Sequence, residues 1–251
     1  MSVDIDLAKY STFLFLLLPS IQIYYAASLD ALIASLLLGV LYFLTHPHRF
    51  VSLIGSTIAL FLTSFLTFGF VFVLPVIVGY EILRDRSVRK FILLVVLLSL
   101  CYSIINMNLG FNYVSAFETA AKLENPNGFR LLNEPISYLF TRLEGIFEIL
   151  LFFGPYLGIP MIRGLRMSRK AGFLLTDLTW LAITSILCMF VLGTFRTGET
   201  ARVCLFIYPY LMLPIIMYLS NRKVTALERN ILLILVFSQT LFMQTFGTYF
   251  W

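Results

Sequence analysis

Apolar residues run along this chain in blocks of roughly twenty, separated by short polar or basic stretches. Wound as an α-helix, a block of that length crosses a hydrocarbon layer about 30 Å thick. Barrel strands would alternate over segments of about ten residues, a pattern absent here. Only helices and closed barrels satisfy their own backbone in lipid, so helices are the expected spanning element. The blocks predict about nine transmembrane or re-entrant helices, near 8–25, 28–45, 50–65, 67–83, 91–108, 138–160, 171–193, 203–219 and 230–247. The third and fourth are short and meet at Thr67-Phe68-Gly69, so they also read as one re-entrant hairpin. No internal repeat or low-complexity segment stands out. The predicted fold is an all-α polytopic membrane domain over 1–251.

Composition agrees with the pattern. Of 251 residues, 60% are hydrophobic and 12% charged, with a mean hydropathy of +0.93, which leaves too little polar surface for a soluble domain. The net charge of +5 does not point to nucleic acid, because the basic residues lie in short clusters between apolar blocks. Cys101, Cys188 and Cys204 sit far apart inside apolar segments and form no disulfide or zinc pattern. The N-terminus has no basic stretch followed by a small-residue cleavage site, so no cleaved signal peptide is expected.

The basic clusters fall at every second connection, which orients the chain. With the N-terminus in the cytoplasm, 13 of the 18 Lys and Arg residues lie on the cytoplasmic side. The five on the other side are Lys122, Arg130, Arg142, Arg196 and Arg202. The longest connection, about 109–137, then faces outward, with a turn at Asn125-Pro126-Asn127-Gly128 and a short helix expected over 114–123. A polar loop of that length in so apolar a chain suits function, and Glu118, Arg130 and Arg142 are its candidate substrate contacts.

Three groups of charges need an explanation. Glu144 and Glu148 are four residues apart and share a helix face with Thr141. An ionised group at mid-bilayer costs about 2.5–3.5 kcal/mol on insertion scales. These acids therefore face a polar cavity, pair with a cation such as Arg142, or hold protons, and a binding or catalytic role is the alternative to a structural ion pair. Arg196-Thr-Gly-Glu199-Thr-Ala-Arg202 precedes the eighth span. A helix start flanked by two guanidinium groups suits a phosphate, whereas the bland alternative is anchoring to lipid headgroups. Asp30 opens the second span, where the helix dipole alone would also account for it. Asp177 reads as a structural partner for basic helix ends. Histidine occurs only as His46 and His48, in a predicted cytoplasmic turn, and no Walker or dinucleotide loop appears. Chemistry on the outer face would fall to carboxylates, arginines, tyrosines or a bound divalent metal.

Three segments together resemble the GT-C superfamily of polytopic glycosyltransferases. They are Pro19 to Leu44, the outer loop running into Tyr138–Pro155, and Gly198-Glu199-x-x-Arg202 followed by Pro209. The resemblance implies a polyprenyl-phosphate-linked sugar as donor, used on the non-cytoplasmic face. It makes Asp30, Glu144 and Glu148 the candidate catalytic carboxylates, and Arg196, Glu199 and Arg202 the carrier-phosphate site. The family's usual catalytic carboxylate lies in a large first outer loop, which this chain lacks. Asp4-x-Asp6 falls on the predicted cytoplasmic side, so either the chain is shortened, or a second membrane subunit supplies the base, or the catalytic role has been lost. Two other readings compete: a transporter or flippase of lipid-linked saccharides, and a non-catalytic subunit of a membrane complex. The orientation is open to a direct check. Cysteines placed at Asn127 and at Ser87 label from opposite sides of sealed vesicles; labelling of both from one side would reverse the assignment.

Overall fold

Each predicted apolar block is helical over most of its length, and the departures occur where the chain breaks a block in two. The computed structural model describes residues 5–25, 28–124, 126, 128–171, 174–194, 199–222 and 224–247, with the side chains of 124, 168–171, 174 and 175 excepted. In order, the helices are α1 (Ile5–Leu16), α2 (Pro19–Tyr24), α3 (Leu29–Thr45), α4 (Arg49–Leu66), α5 (Val73–Asp85), α6 (Arg89–Leu109), α7 (Tyr113–Glu124) and α8 (Arg130–Asn133). They continue as α9 (Pro135–Phe153), α10 (Pro155–Ala171), α11 (Leu174–Val191), α12 (Thr200–Val203), α13 (Tyr208–Asn221) and α14 (Ala226–Phe246). Short 3-10 turns cover Phe68–Phe72 and Leu205–Ile207, and no strand occurs among the described residues. The fold is all-α.

Local chemistry explains the ends. Thr225 and Glu228 form a reciprocal capping box at the start of α14. Pro19 and Pro155 open α2 and α10, where a missing N–H does no harm. Gly110, at φ +69°, closes α6 in the left-handed conformation that glycine adopts without strain.

The first, fourth and sixth predicted spans are not single helices. The first divides at Leu17-Leu18, the fourth begins with the 3-10 turn at Phe68–Phe72, and the sixth bends by 95° between α9 and α10 at Gly154. A break leaves backbone carbonyls that lipid cannot satisfy. Side chains from other helices meet them. Thr240 donates to Leu17 O at 2.6 Å, Gln239 to Leu151 O at 2.8 Å, and Ser185 to Phe72 O at 2.6 Å.

Three helices are long and apolar enough to cross a membrane: α4, α6 and α14. The bent pair of α9 with Pro155–Met167 makes a fourth if counted as one span, so nine spans are not reached by that measure among the described residues. Leu29–Thr45, Thr176–Val191 and Leu205–Asn221 are apolar but shorter. The apolar faces are turned outward. Ile92, Val96, Leu100 and Ile104 of α6 are all about half exposed, as are Leu139, Leu143 and Phe147 of α9. Surfaces of this size and polarity are compatible with lipid and unfavourable in water.

The chain divides into two compact units: 1–34, 143–184 and 195–251 in the first, and 35–142 and 185–194 in the second. In the second, α4 packs on α6 and carries a buried stripe of Ser52, Ser56, Ala59 and Thr63, of which Ala59 lies against Gly39 of α3. Small residues let membrane helices approach closely without a polar penalty. Tyr102 of α6 bonds Ser64 Oγ at 2.8 Å and stacks 4.2 Å from Tyr113, whose hydroxyl reaches Ser64 O at 3.2 Å.

In the first unit α10 and α13 are the principal pair, with α1 against α13 and α14 against α2 and α10. Leu14, Leu157, Tyr208 and Ile215 are fully buried there. Gly164 of α10 lies against the backbone carbonyl of Pro214, in a space no β-carbon can share. Gly158, on the same helix, faces nothing. Gly164→Ala is expected to lower stability by about 1–3 kcal/mol, the usual range for overpacking. Gly158→Ala gains up to about 1 kcal/mol from helix propensity. Thermal unfolding in one detergent compares them, and equal shifts would mean that the helices are not packed at this glycine.

Candidate functional site

The first unit joins residues that are far apart in sequence. Helix α12 has only four residues, so its leading amides have no intrahelical acceptor. Glu148 supplies one from α9. Its Oε2 accepts from Thr200 N and its Oε1 from Ala201 N, both at 3.1 Å. Thr200 and Ala201 are buried, so these charge-assisted bonds have little competition from water. The approach depends on Gly145, one turn earlier on α9. A β-carbon there would lie 3.0 Å from Thr200 Oγ1.

With the turn held, Arg202 is aimed at two acids. Glu199 Oε2 lies 2.6 Å from its Nη2, and Asp30 Oδ2 lies 3.2 Å from its Nε. Asp30 stands in the first turn of α3, where the free amides also favour a carboxylate. The arginine is 27% exposed and Asp30 22%, so the pair is worth more than a surface ion pair but is not dry. Nη1 of Arg202 has no acceptor among the described residues. Asp30, Glu148, Glu199 and Arg202 thus form one cluster. Its three carboxylates face one guanidinium and two backbone amides.

The other expected residues are placed differently. Arg196 lies outside the described residues, as do Asn125, Asn127 and Gly198. Glu144 is exposed on α9, with no hydrogen bond or ion pair among the described residues. Arg142 belongs to the second unit. Its Nη1 donates to Thr194 O at 2.8 Å, and its guanidinium lies 4.7 Å from the Tyr138 ring centre. The Tyr138 hydroxyl sits 2.6 Å from Phe190 O and 2.9 Å from Val191 O. Together the two side chains cover carbonyls at and beyond the C-terminal end of α11, where a cation is favoured. Arg130 is 3.8 Å from Glu134, both well exposed, and Glu118 is exposed on α7. The helix expected over 114–123 is present as α7.

The amides that a helix start would offer a phosphate are engaged by Glu148. An anion arriving here would meet the Arg202 guanidinium rather than those N–H groups. No group of three or more His, Cys, Asp or Glu suited to a metal ion occurs among the described residues. Gly145 and Thr200 were not picked out from sequence. The available signal was a glycine in mid-helix, which weakens a helix and marks a close approach.

Comparison with protein-family models, curated proteins and solved structures finds no match.

The role of Glu148 as an amide cap is testable alone. Glu148→Gln keeps one acceptor but removes the charge and turns an N–H₂ toward a donor. Losing a charge-assisted bond costs about 1.5–3 kcal/mol. Amide hydrogen exchange at Thr200 and Ala201 is expected to quicken about tenfold or more in this variant. Unchanged protection at both amides would remove Glu148 from this role.

Proposed function

We propose that the chain is a GT-C-like membrane glycosyltransferase, or the carrier-binding half of one. It would take a sugar from a polyprenyl-phosphate carrier on the non-cytoplasmic face of the membrane. The observation that carries this reading is the convergence of Asp30, Glu148, Glu199 and Arg202, drawn from three separate parts of the chain. The orientation follows from the basic residues, with the N-terminus cytoplasmic and about nine spanning or re-entrant segments, several of them broken helices. A second membrane subunit is the expected source of any catalytic group missing from this chain.

The cluster suits such a transfer through an exchange of partners. Arg202 holds two carboxylates, one more than its charge balances. A carrier phosphate that takes the guanidinium would release Asp30 from it. The freed carboxylate is then a base for an acceptor hydroxyl. The hydroxyl proton passes to Asp30, its oxygen bonds to the anomeric carbon, and the bond from that carbon to the phosphate oxygen breaks. The phosphate leaves carrying the electron pair and remains paired with Arg202, which stabilises the charge it gains. Glu148 keeps the turn in place throughout.

Binding of polyprenyl phosphate to purified variants tests the assignment. Arg202→Lys keeps the charge but not the planar two-point contact with phosphate oxygens. Affinity is expected to fall roughly tenfold to hundredfold, the equivalent of about 1.5–3 kcal/mol. Asp30→Asn removes the competing carboxylate and is expected to bind the carrier at least as tightly as wild type. If Arg202 is only a headgroup anchor, Arg202→Lys binds normally, since lysine snorkels equally well. Wild-type affinity in that variant would end the carrier-phosphate reading.

A further inference from the structure

A second polar site lies wholly in the second unit, apart from the Arg202 cluster and not dependent on its function. The turn between α3 and α4 and the turn between α5 and α6 border a cavity of about 600 Å³. Six charged residues line it: Arg49, Glu81, Arg84, Asp85, Arg89 and Lys90. Four cations against two acids leave it two positive charges in excess.

Arg84 and Asp85 pair with each other, whereas Glu81 has no ion pair among the described residues. Glu81 is only 3% exposed, yet one of its oxygens lacks a partner. Oε2 accepts from Phe91 N at 3.0 Å, whereas Oε1 is buried and accepts no hydrogen bond among the described residues. Lys90 attracts the Glu81 carboxylate through its charge and its backbone, but its ammonium donates to Leu44 O at 3.1 Å and to Ser52 Oγ. Arg84 pairs with the Tyr80 hydroxyl at 2.5 Å and lies 3.8 Å from Asp85. Arg49 and Arg89 are exposed at the rim and have no acid partner among the described residues. A buried acceptor without a donor is a costly arrangement, and it calls for a donor from outside the chain.

The two requirements define one ligand chemistry. Unpaired arginines call for an anion with several oxygens, which phosphate supplies in two-point fashion. The orphan Glu81 oxygen calls for a hydroxyl or ammonium group. We propose that this cavity binds a phosphate ester carrying a hydroxyl or ammonium donor, with the phosphate held by Arg49 and Arg89 and the donor given to Glu81. A phospholipid headgroup and a soluble phosphate ester share that chemistry.

Paired probes that differ only in the donor test it on the full chain. In the soluble arm, glycerol 1-phosphate is compared with methyl phosphate by thermal shift in detergent. In the lipid arm, phosphatidylglycerol is compared with phosphatidylmethanol by native mass spectrometry. Saturable binding in either arm is expected, with the hydroxyl-bearing probe preferred several-fold. Binding in the soluble arm identifies a diffusible ester, and binding in the lipid arm alone identifies a headgroup. The double variant Arg49→Gln/Arg89→Gln, at exposed positions, is expected to weaken binding tenfold or more. Glu81→Gln keeps an acceptor for Phe91 N and is expected to abolish the preference for the hydroxyl. Absence of saturable binding in both arms would overturn the proposal. So would binding that the double arginine variant leaves intact, or a preference that survives Glu81→Gln.

Discussion

The two hydrogen bonds from Glu148 to the amides of Thr200 and Ala201 are the contact on which the candidate site depends. They fix a four-residue helix that is too short to hold itself. Arg202 lies in that helix, so its reach to Asp30 and Glu199 follows from the position of the turn. Gly145 leaves room for Thr200 at the same contact, where a β-carbon would make the threonine shift by a few tenths of an ångström. Remove the carboxylate, and two buried amides lose their acceptors while the arginine loses its aim.

The same rule operates wherever an apolar block breaks. Helix α14 is strongly apolar, yet Gln239 and Thr240 sit next to each other within it. Each donates to a carbonyl beside a break in the first unit, at Leu151 and Leu17. Gln244, one turn on from Thr240, donates to Gln22 O of α2 at 3.3 Å. In the second unit Ser185 does this for Phe72, and Arg142 and Tyr138 cover the end of α11. The side chains at the breaks and those around Arg202 are therefore of two kinds. The first close a gap left by the backbone. The second face one another.

That division explains how much could be read from sequence. The apolar blocks are plain in the hydropathy pattern, because burial in lipid is a property of composition over some twenty residues. The breaks are not, because hydropathy does not register whether a helix is continuous. Gly154-Pro155 and Pro19 marked two of them in hindsight, yet 138–160 and 8–25 each read as one span. Asp30, Glu148, Glu199 and Arg202 stood out as charges in apolar surroundings, since ionised groups there are expensive. Their mutual contacts were not legible. Asp30 and Arg202 are far apart in the chain, and no local spacing rule links them. Arg142 illustrates the opposite case. Glu144 lies two residues away in sequence, but Arg142 donates to the carbonyl of Thr194.

Arg202 sits between two acids with part of its guanidinium still unengaged, in a chain whose surface is suited to lipid. An anionic lipid phosphate is the ligand proposed to take the place of one carboxylate there. The most direct measurement is of proximity. Dipolar recoupling between ³¹P of a polyprenyl phosphate and ¹⁵N-labelled arginine side chains, with the protein in a bilayer, reads contact between the two nuclei. The account predicts dephasing in the wild-type protein that falls in Arg202→Lys, any remainder coming from Arg49 and Arg89. Dephasing of equal size in both proteins, or none in wild type, would contradict it.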